Sequence, residues 1–359
     1  MNEIYKHFGP EKYEVLLGVS EDEDGMRLDQ FCALHLISFS RQQIKKKISN
    51  GEVKIINRPF PHKASVKVYH REKIEIFTLR GDCEDEYWNG EKLDLKFVPD
   101  TIFEDDNIVV VSKPPYMTTH PSGKHLFNCA TVYFENILGH TIHSVHRLDR
   151  ETSGVQLLGK NPKAAQKCTS LFEDNKVHKC YFLIGHKKKE VNFPFTAFER
   201  LGNKDDFVPR QYNHCFPEDS TFGKHAETHF KELYQGDEYI LALAFPKTGR
   251  QHQIRSHAKH HGFQLLGDKL YNDDHTLFMR FKDKGATKED HDLMQISRHA
   301  LHALALYLPY PSKNDSQIFR SAIPDDLSGW LRENLPKVNL KETELLIDKI
   351  IEERFNEQV

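Results

Sequence analysis

Two regimes of apolar patterning divide the chain. Between residues 26 and 76, Leu28, Phe31, Cys32 and Leu34 or His35 keep helical spacing. Phe39-Ser40 then offers a cap before Arg41-Gln42-Gln43-Ile44-Lys45-Lys46-Lys47-Ile48. Apolar residues at i, i+3 and i+4 line one face of a helix, so two short helices are expected, the second closed by Gly51. Val53 and Ile55, Val66 and Val68, and Ile74 and Ile76 then alternate with other residues in the period of half-buried strands. Turns are expected at Asn57-Arg58-Pro59 and His70-Arg71-Glu72. From Ile102 the pattern changes. Ile108-Val109-Val110-Val111 reads as a buried strand, which Lys113-Pro114-Pro115 must end because proline has no N–H to give a sheet. Short strands alternate with helices from there to about Pro311. At the tail, apolar residues at 346, 347, 350, 351 and 355 stand among acids and predict an amphipathic helix docked on the second domain.

With 359 residues the chain is too long for one compact domain. The expected division is an acidic segment 1–25, a small domain 26–80, an acidic linker 81–100, a main domain 101–311 and an extension 312–359. At 38% hydrophobic and 29% charged residues, the composition is that of an ordinary globular protein with a sizeable core. No apolar run is long enough to span a membrane, and residues 1–10 lack the layout of a signal peptide, so a cytoplasmic protein is expected. Cysteines 32, 83, 129, 168, 180 and 215 contain no C-x-x-C pair, which argues against a disulfide framework or zinc ribbon and suits a reducing compartment.

The net charge of −3 hides a segregation. Residues 26–80 carry twelve Lys/Arg against four Asp/Glu, while residues 81–106 carry ten acids against two lysines. A basic unit fenced by acids is the electrostatic footprint of a nucleic-acid module, although a solvated face would look the same on charge alone. Arg41, Lys45 and Lys46 share one helix face, suited to phosphates, while Ile44 and Ile48 turn to the core.

Arg27-Leu28-Asp29 and Ser40-Arg41-x-x-Ile44, within this helix-helix-strand pattern, resemble the RNA-binding domain of small-subunit ribosomal protein four. That resemblance implies RNA contacts at Arg27, Arg41, Lys45 and Lys46. The sequence departs from the usual pattern at both turns, where Asn57-Arg58 stands for Asn-Gly and His70-Arg71-Glu72 for Gly-Asp.

Four segments of the main domain carry candidate chemistry. They are Lys113-Pro114-x-Tyr116-Met117-x-x-His120-Pro121; the nine residues His146-Arg147-Leu148-Asp149-Arg150-Glu151-Thr152-Ser153-Gly154; Val177-x-Lys179-x-Tyr181-x-x-x-Gly185; and Thr248-Gly249-Arg250-Gln251-His252-Gln253-Ile254-Arg255-Ser256-His257, running on to Gly267-Asp268-x-Leu270-Tyr271. Ala226-x-Thr228 and Arg298-x-x-Leu301-His302-Ala303 agree more weakly. Taken alone, Asp149 could cap a turn, Arg255 could be a surface arginine and Tyr181 could be core packing. In order and spacing, however, the four segments resemble the RluA-type pseudouridine synthases over roughly residues 100–310, and a nine-residue match with its later partners in register is a specific signal.

The resemblance implies an α+β fold: the pseudouridine synthase fold, a mixed, largely antiparallel sheet with flanking helices and loops, preceded here by a small α/β-type RNA-binding domain. It implies an isomerase that turns uridine into pseudouridine. Breaking a base–sugar bond and rejoining the base through carbon 5 oxidises nothing, so no cofactor is expected. Asp149 matches the catalytic carboxylate, Arg255 the arginine that would grip it, and Tyr181 the tyrosine beneath the flipped base. Arg147 is the candidate wedge for the vacated base position, with His146 beside it, and Arg250 is expected to contact RNA phosphate or to shape its loop.

The helix expected over 251–260 would put Gln251 and Arg255 on one face. His257 and His261 fall at i, i+4, but with no H-E-x-x-H and no third ligand a metal is not expected. The expected partner is structured RNA, large-subunit ribosomal RNA before transfer RNA, bound by a monomer that requires no protein partner. A ribosome-assembly factor that binds RNA without turnover is the alternative.

Overall fold

The computed structural model describes residues 3–9, 11–36, 39–80, 87–88, 91–92, 98–122, 125–204, 209, 211–282, 285–310 and 316–356. The chain forms two compact units. One holds Met1–Lys96 with Thr118–Ile142, and the other Phe97–Met117 with His143–Val359. Most of the expected linker 81–100 lies outside the described residues.

In the first unit the helices are Leu28–His35 and Arg41–Ser49. Ser40 caps the second by accepting from Gln43 N–H, and Gln43 returns a bond to Ser40 N–H, so two otherwise orphaned donors are satisfied together. Gly51 follows the helix at φ +79°, the left-handed conformation in which glycine carries no Cβ penalty. Leu28, Phe31, Ile44 and Ile48 are buried against Val53–Ile55 and Lys73–Leu79. The Val66–Val68 segment is not a strand: it forms an isolated bridge, Arg27 to Lys67, although Val68 is buried.

The boundary expected at residue 26 is absent. Glu3–Phe8 and Lys12–Gly18 pair with each other, and the latter pairs with Lys73–Leu79 along its whole length, giving a four-stranded antiparallel sheet. Acid counts had masked a period-2 signal, for Val15 and Leu17 alternate into the core. Both departures from the usual turns are accommodated in left-handed backbone, Asn57 at φ +67° and Arg71 at φ +69°. Helix Ala130–Leu138 also belongs to this unit, where Tyr13 packs on Cys129 and Val132.

The second unit is built on an eleven-stranded sheet. From one edge its main path runs Phe195–Ala197, Thr228–Gln235, Tyr239–Pro246, His178–Lys187, Leu301–Leu308, Ser153–Gly159, Ile108–Lys113 and Asp100–Glu104. Every pairing is antiparallel except that of Ser153–Gly159 with Leu301–Leu308. Gly154, at φ +109°, permits this one close approach: a Cβ there would stand 2.1 Å from Ala303 O. The C-terminal residues complete the unit and are not appended to it. Gln317–Arg320 pairs with Leu301–Leu308, and Trp330, Ile347, Ile350, Ile351 and Phe355 enter the same core as Phe182 and Leu243. Leu346 alone of the expected stripe points outward, 43% exposed. Among the described residues no helix is long and apolar enough to cross a membrane.

Candidate active site

The segment 145–152 leads into the strand Ser153–Gly159 and lines a cleft of about 380 Å³, together with Lys179, Tyr181, the turn 247–252 and Arg255. Its backbone is pinned on both sides of Asp149. Upstream, His146 Nε2 accepts from Leu157 N–H at 3.0 Å, and its ring stacks on Phe172. Downstream, Arg150 donates to Tyr116 O at 2.9 Å. The fully buried Lys113 donates to Pro114 O, Met117 O and Arg150 O. Lys113 therefore serves as a buried cross-strut for the loop.

Glu151 is buried and satisfied threefold. It accepts from Lys269 Nζ at 3.1 Å and from His299 N–H at 2.8 Å, and it lies 3.2 Å from His299 Nδ1. His299 Nε2 reaches Thr152 Oγ1 at 2.8 Å. Arg298, 0% exposed, grips Asp326 and also donates to Glu151 O. A loop so held cannot relax around a ligand, so Asp149 is preorganised.

Asp149 itself keeps about one-fifth of its side chain exposed, while Arg255 beneath it keeps 7%. Arg255 Nη1 donates to Asp149 Oδ2 at 3.0 Å. Its other edge forks onto Asp268, Nε to Oδ2 at 2.6 Å and Nη2 to Oδ1 at 2.8 Å. Asp268 also accepts from the Leu270 and Tyr271 N–H groups, and the guanidinium lies over the Tyr271 ring at 5.1 Å. The guanidinium is thus fixed in plane by one carboxylate and presents a single N–H to the other.

Burial alone would favour the neutral acid, but His252, Arg255 and His299 hold Asp149 well below the usual carboxylate range. Of these, Arg255 keeps its charge at neutral pH. His252, 3.9 Å from Asp149, is itself pushed down to about 4 by burial. Burial, and then the Asp149 charge, push Tyr181 well above its ordinary value, so its hydroxyl stays protonated. Burial pushes Lys179 down to about 8.

Asp149, Tyr181, Arg255, His146, Arg147 and Arg250 line one cleft. Arg147 is exposed at it. His146, expected at RNA, instead spends its ring on Leu157 N–H and Phe172. Arg250 Nε donates to His225 O and shapes the turn. The helix expected from residue 251 is Gln253–His260, because His252 adopts left-handed backbone at φ +58°. Gln251 therefore does not share a helical face with Arg255. Gln253 ties the turn instead, bonding Arg250 N–H, Thr248 Oγ1, Glu227 O and Thr228 Oγ1.

In the first unit Arg41, Lys45 and Lys46 are exposed, whereas Lys47 turns inward to Glu52 and Thr78. Arg27, expected at RNA, is forked onto Asp29 and partly neutralised. Sequence reasoning assigned nothing to Asp268, Glu151, Lys269 and His299. Asp268 and Glu151 stood inside quoted motifs, and a buried arginine with one exposed acceptor implies a second carboxylate.

The family model described as RNA pseudouridylate synthase matches residues 107–260. The chain is 29% identical over 322 residues to ribosomal large subunit pseudouridine synthase D of Vibrio cholerae, covering 88% of this chain and 93% of that protein. It is 26% identical over 339 residues to an uncharacterized RNA pseudouridine synthase of Bacillus subtilis, covering 90% and 99%. Among solved structures, human RNA pseudouridylate synthase domain containing 4 matches with a TM-score of 0.50 at 23% identity, over 65% of this chain and 92% of that one. This last likeness speaks for the fold.

Proposed function

Because the chain belongs to the RluA-type RNA pseudouridylate synthases, we propose that Asp149 is its catalytic carboxylate and that structured RNA of the large ribosomal subunit is its substrate. The enzyme is an isomerase acting on uridine in RNA. One observation carries the assignment of Asp149. A carboxylate at the cleft is held ionised by a guanidinium that a second, buried carboxylate keeps in plane. Whether the carboxylate attacks the nucleoside or takes a proton from the sugar, it must be ionised and oriented, and this arrangement supplies both.

The target uridine must leave its stack to reach the cleft, at a cost of a few kcal/mol. Tyr181 offers an aromatic face to the uracil and stays protonated beside Asp149. Arg147 is the side chain we assign to the gap left in the RNA. Arg41, Lys45 and Lys46 form the phosphate-binding face of an RNA-binding domain. Large-subunit RNA is favoured because relatives covered over nine-tenths of their length are named for it. We place the protein in the cytoplasm as a monomer. A reducing compartment is supported by cysteines scattered along the chain with no C-x-x-C pair.

Replacing Asp149 with alanine is expected to abolish pseudouridine formation while RNA affinity stays within a few-fold. Mapping pseudouridines in ribosomal and transfer RNA from a strain lacking the protein identifies the target. Loss confined to transfer RNA overturns the substrate, and an active Asp149→Ala protein overturns the carboxylate.

A further inference from the structure

We propose that Glu199, His260 and His261 bind one divalent transition-metal ion, with zinc favoured by the ligand set, at the C-terminal end of the Arg255 helix. The sequence offered His257 and His261 as a pair without a third ligand. The structure removes His257: its Nδ1 meets Thr228 Oγ1 and its Nε2 meets Glu199 O, both at 3.0 Å. It supplies the other two from the helix end and from Glu199, which lies between the strands Phe195–Ala197 and Arg200–Gly202.

Three observations carry the inference. Glu199 Oε1 lies 2.9 Å from His261 Nε2 and 3.6 Å from His260 Nε2, and the three ligand atoms lie within 4.8 Å of one another. Ligand atoms around a tetrahedral zinc stand about 3.4 Å apart, which small side-chain rotations reach from here. Among the described residues this is the one group of three such side chains so close together. Secondly, two imidazoles converge on Oε1 while Oε2 is buried and without a hydrogen-bond partner. A buried carboxylate oxygen left so is costly, and a cation shared by the carboxylate removes the imbalance. Thirdly, the ligands are supported from behind. His257 holds the Glu199 backbone, and the Phe195 ring packs on His261 at 4.6 Å.

The site opens into a separate cleft of about 280 Å³ lined by Glu199, His260, Cys215 and Glu218, so water can fill the remaining positions. Cys215 is not a ligand. Its sulfur lies 3.3 Å from Ser256 Oγ, and burial pushes the thiol up to about 11. A cation at a helix C-terminus also meets the negative end of the helix dipole. Bound there, the ion would clamp the helix that positions Arg255 to the neighbouring strands, a structural role distinct from the reaction.

The test uses full-length protein stripped of metal and titrated with Co²⁺ as a spectroscopic probe. The expected result is one equivalent bound with visible ligand-field bands, displaced by one equivalent of Zn²⁺. Glu199→Gln and His260→Ala should each weaken Co²⁺ binding about tenfold or more, by analogy with losses at other metal sites, while His70→Ala leaves it unchanged. His260 is half-exposed, so its loss spares the fold, which a melting curve without metal checks. Zinc should raise the Tm of the wild-type protein and not of these two variants. No ligand-field bands, or the same affinity in all four proteins, would mean that the cluster is an ion pair only.

Discussion

The loop around Asp149 and the helix Arg41–Ser49 both present charged side chains, and they hold them in opposite ways. Around Asp149 the residues that follow it are tied. Arg150, Glu151 and Thr152 each have partners in distant segments, and the arginine beneath is gripped by a buried aspartate. On the helix, Arg41, Lys45 and Lys46 are exposed, and the capping box and Ile44 and Ile48 hold only the backbone. Chemistry needs one group at one place, which requires a rigid, desolvated surround; phosphate attraction needs only local positive charge. The two regions should therefore break differently.

After Asp149 itself, the largest effect is expected from Arg255. Replacing it with alanine leaves Asp149 and the fully buried Asp268 without their cation. Turnover should fall on the order of 10²–10³-fold, the loss typical of one preorganised electrostatic partner. The Asp149 carboxyl would also rise toward its ordinary range, so the variant's kcat should gain an acid limb that the wild-type enzyme lacks. Lysine should rescue poorly, because one ammonium cannot fork onto Asp268 and reach Asp149 at once. A variant with unchanged kcat and pH profile would show that Arg255 is structural only.

Glu151→Gln should come next. It leaves Lys269 buried without its carboxylate, and breaking one side of such a pair costs about 3–5 kcal/mol. Denaturant melts should show that loss, while kcat falls far less than in the Arg255 variant. Stability within experimental error of the wild type would remove the network from the account of how Asp149 is held.

The exposed face should behave in the reverse manner. Exchanging Arg41, Lys45 and Lys46 together for alanine should leave stability within about 0.5 kcal/mol per site. It should also leave kcat unchanged at saturating RNA. Affinity should drop, and the slope of log K against log salt should flatten by about 2–3, near one per lost phosphate contact. Unchanged slope would assign this face to something other than RNA.

The same contrast explains what the sequence made legible. The motif residues proposed for the chemistry, Asp149, Tyr181 and Arg255, stand in an order and spacing that is legible along the chain, and the cleft brings all three together. Helix caps at Ser40 and Gly51 and the buried run at Ile108–Val111 were readable because they are local. What stayed hidden depends on contacts between distant segments. Asp268 reaches Arg255 only through the turn that follows Gly267. His299 meets Thr152 only once Leu301–Leu308 lies beside Ser153–Gly159. The hairpin before residue 19 was missed for another reason, since its acids pointed to a segment apart while its alternation pointed to a strand.

The smallest effect is expected from Lys179, and it separates activity from stability. Its Nζ lies 3.4 Å from Thr248 O in the cleft. Among the described residues no carboxylate pairs with it, and burial lowers it to about 8. Between pH 5.5 and 7.5 nothing at the site should titrate, because Asp149 is ionised throughout and His252, at about 4, is already neutral. Above pH 8 Lys179 loses its positive charge in the cleft, so kcat/KM for a polyanionic substrate should decline a few-fold. Lys179→Arg, which stays charged, should abolish the decline. Stability should move the other way. An unfolded lysine titrates near 10.4, so between about pH 8 and 10 the unfolded chain binds more protons than the folded one, and this group's contribution to stability rises with pH. Activity falling while that contribution rises marks a cation that serves activity and not stability; a fall of activity in step with global stability would mean alkaline unfolding, and Lys179 would have no part in it.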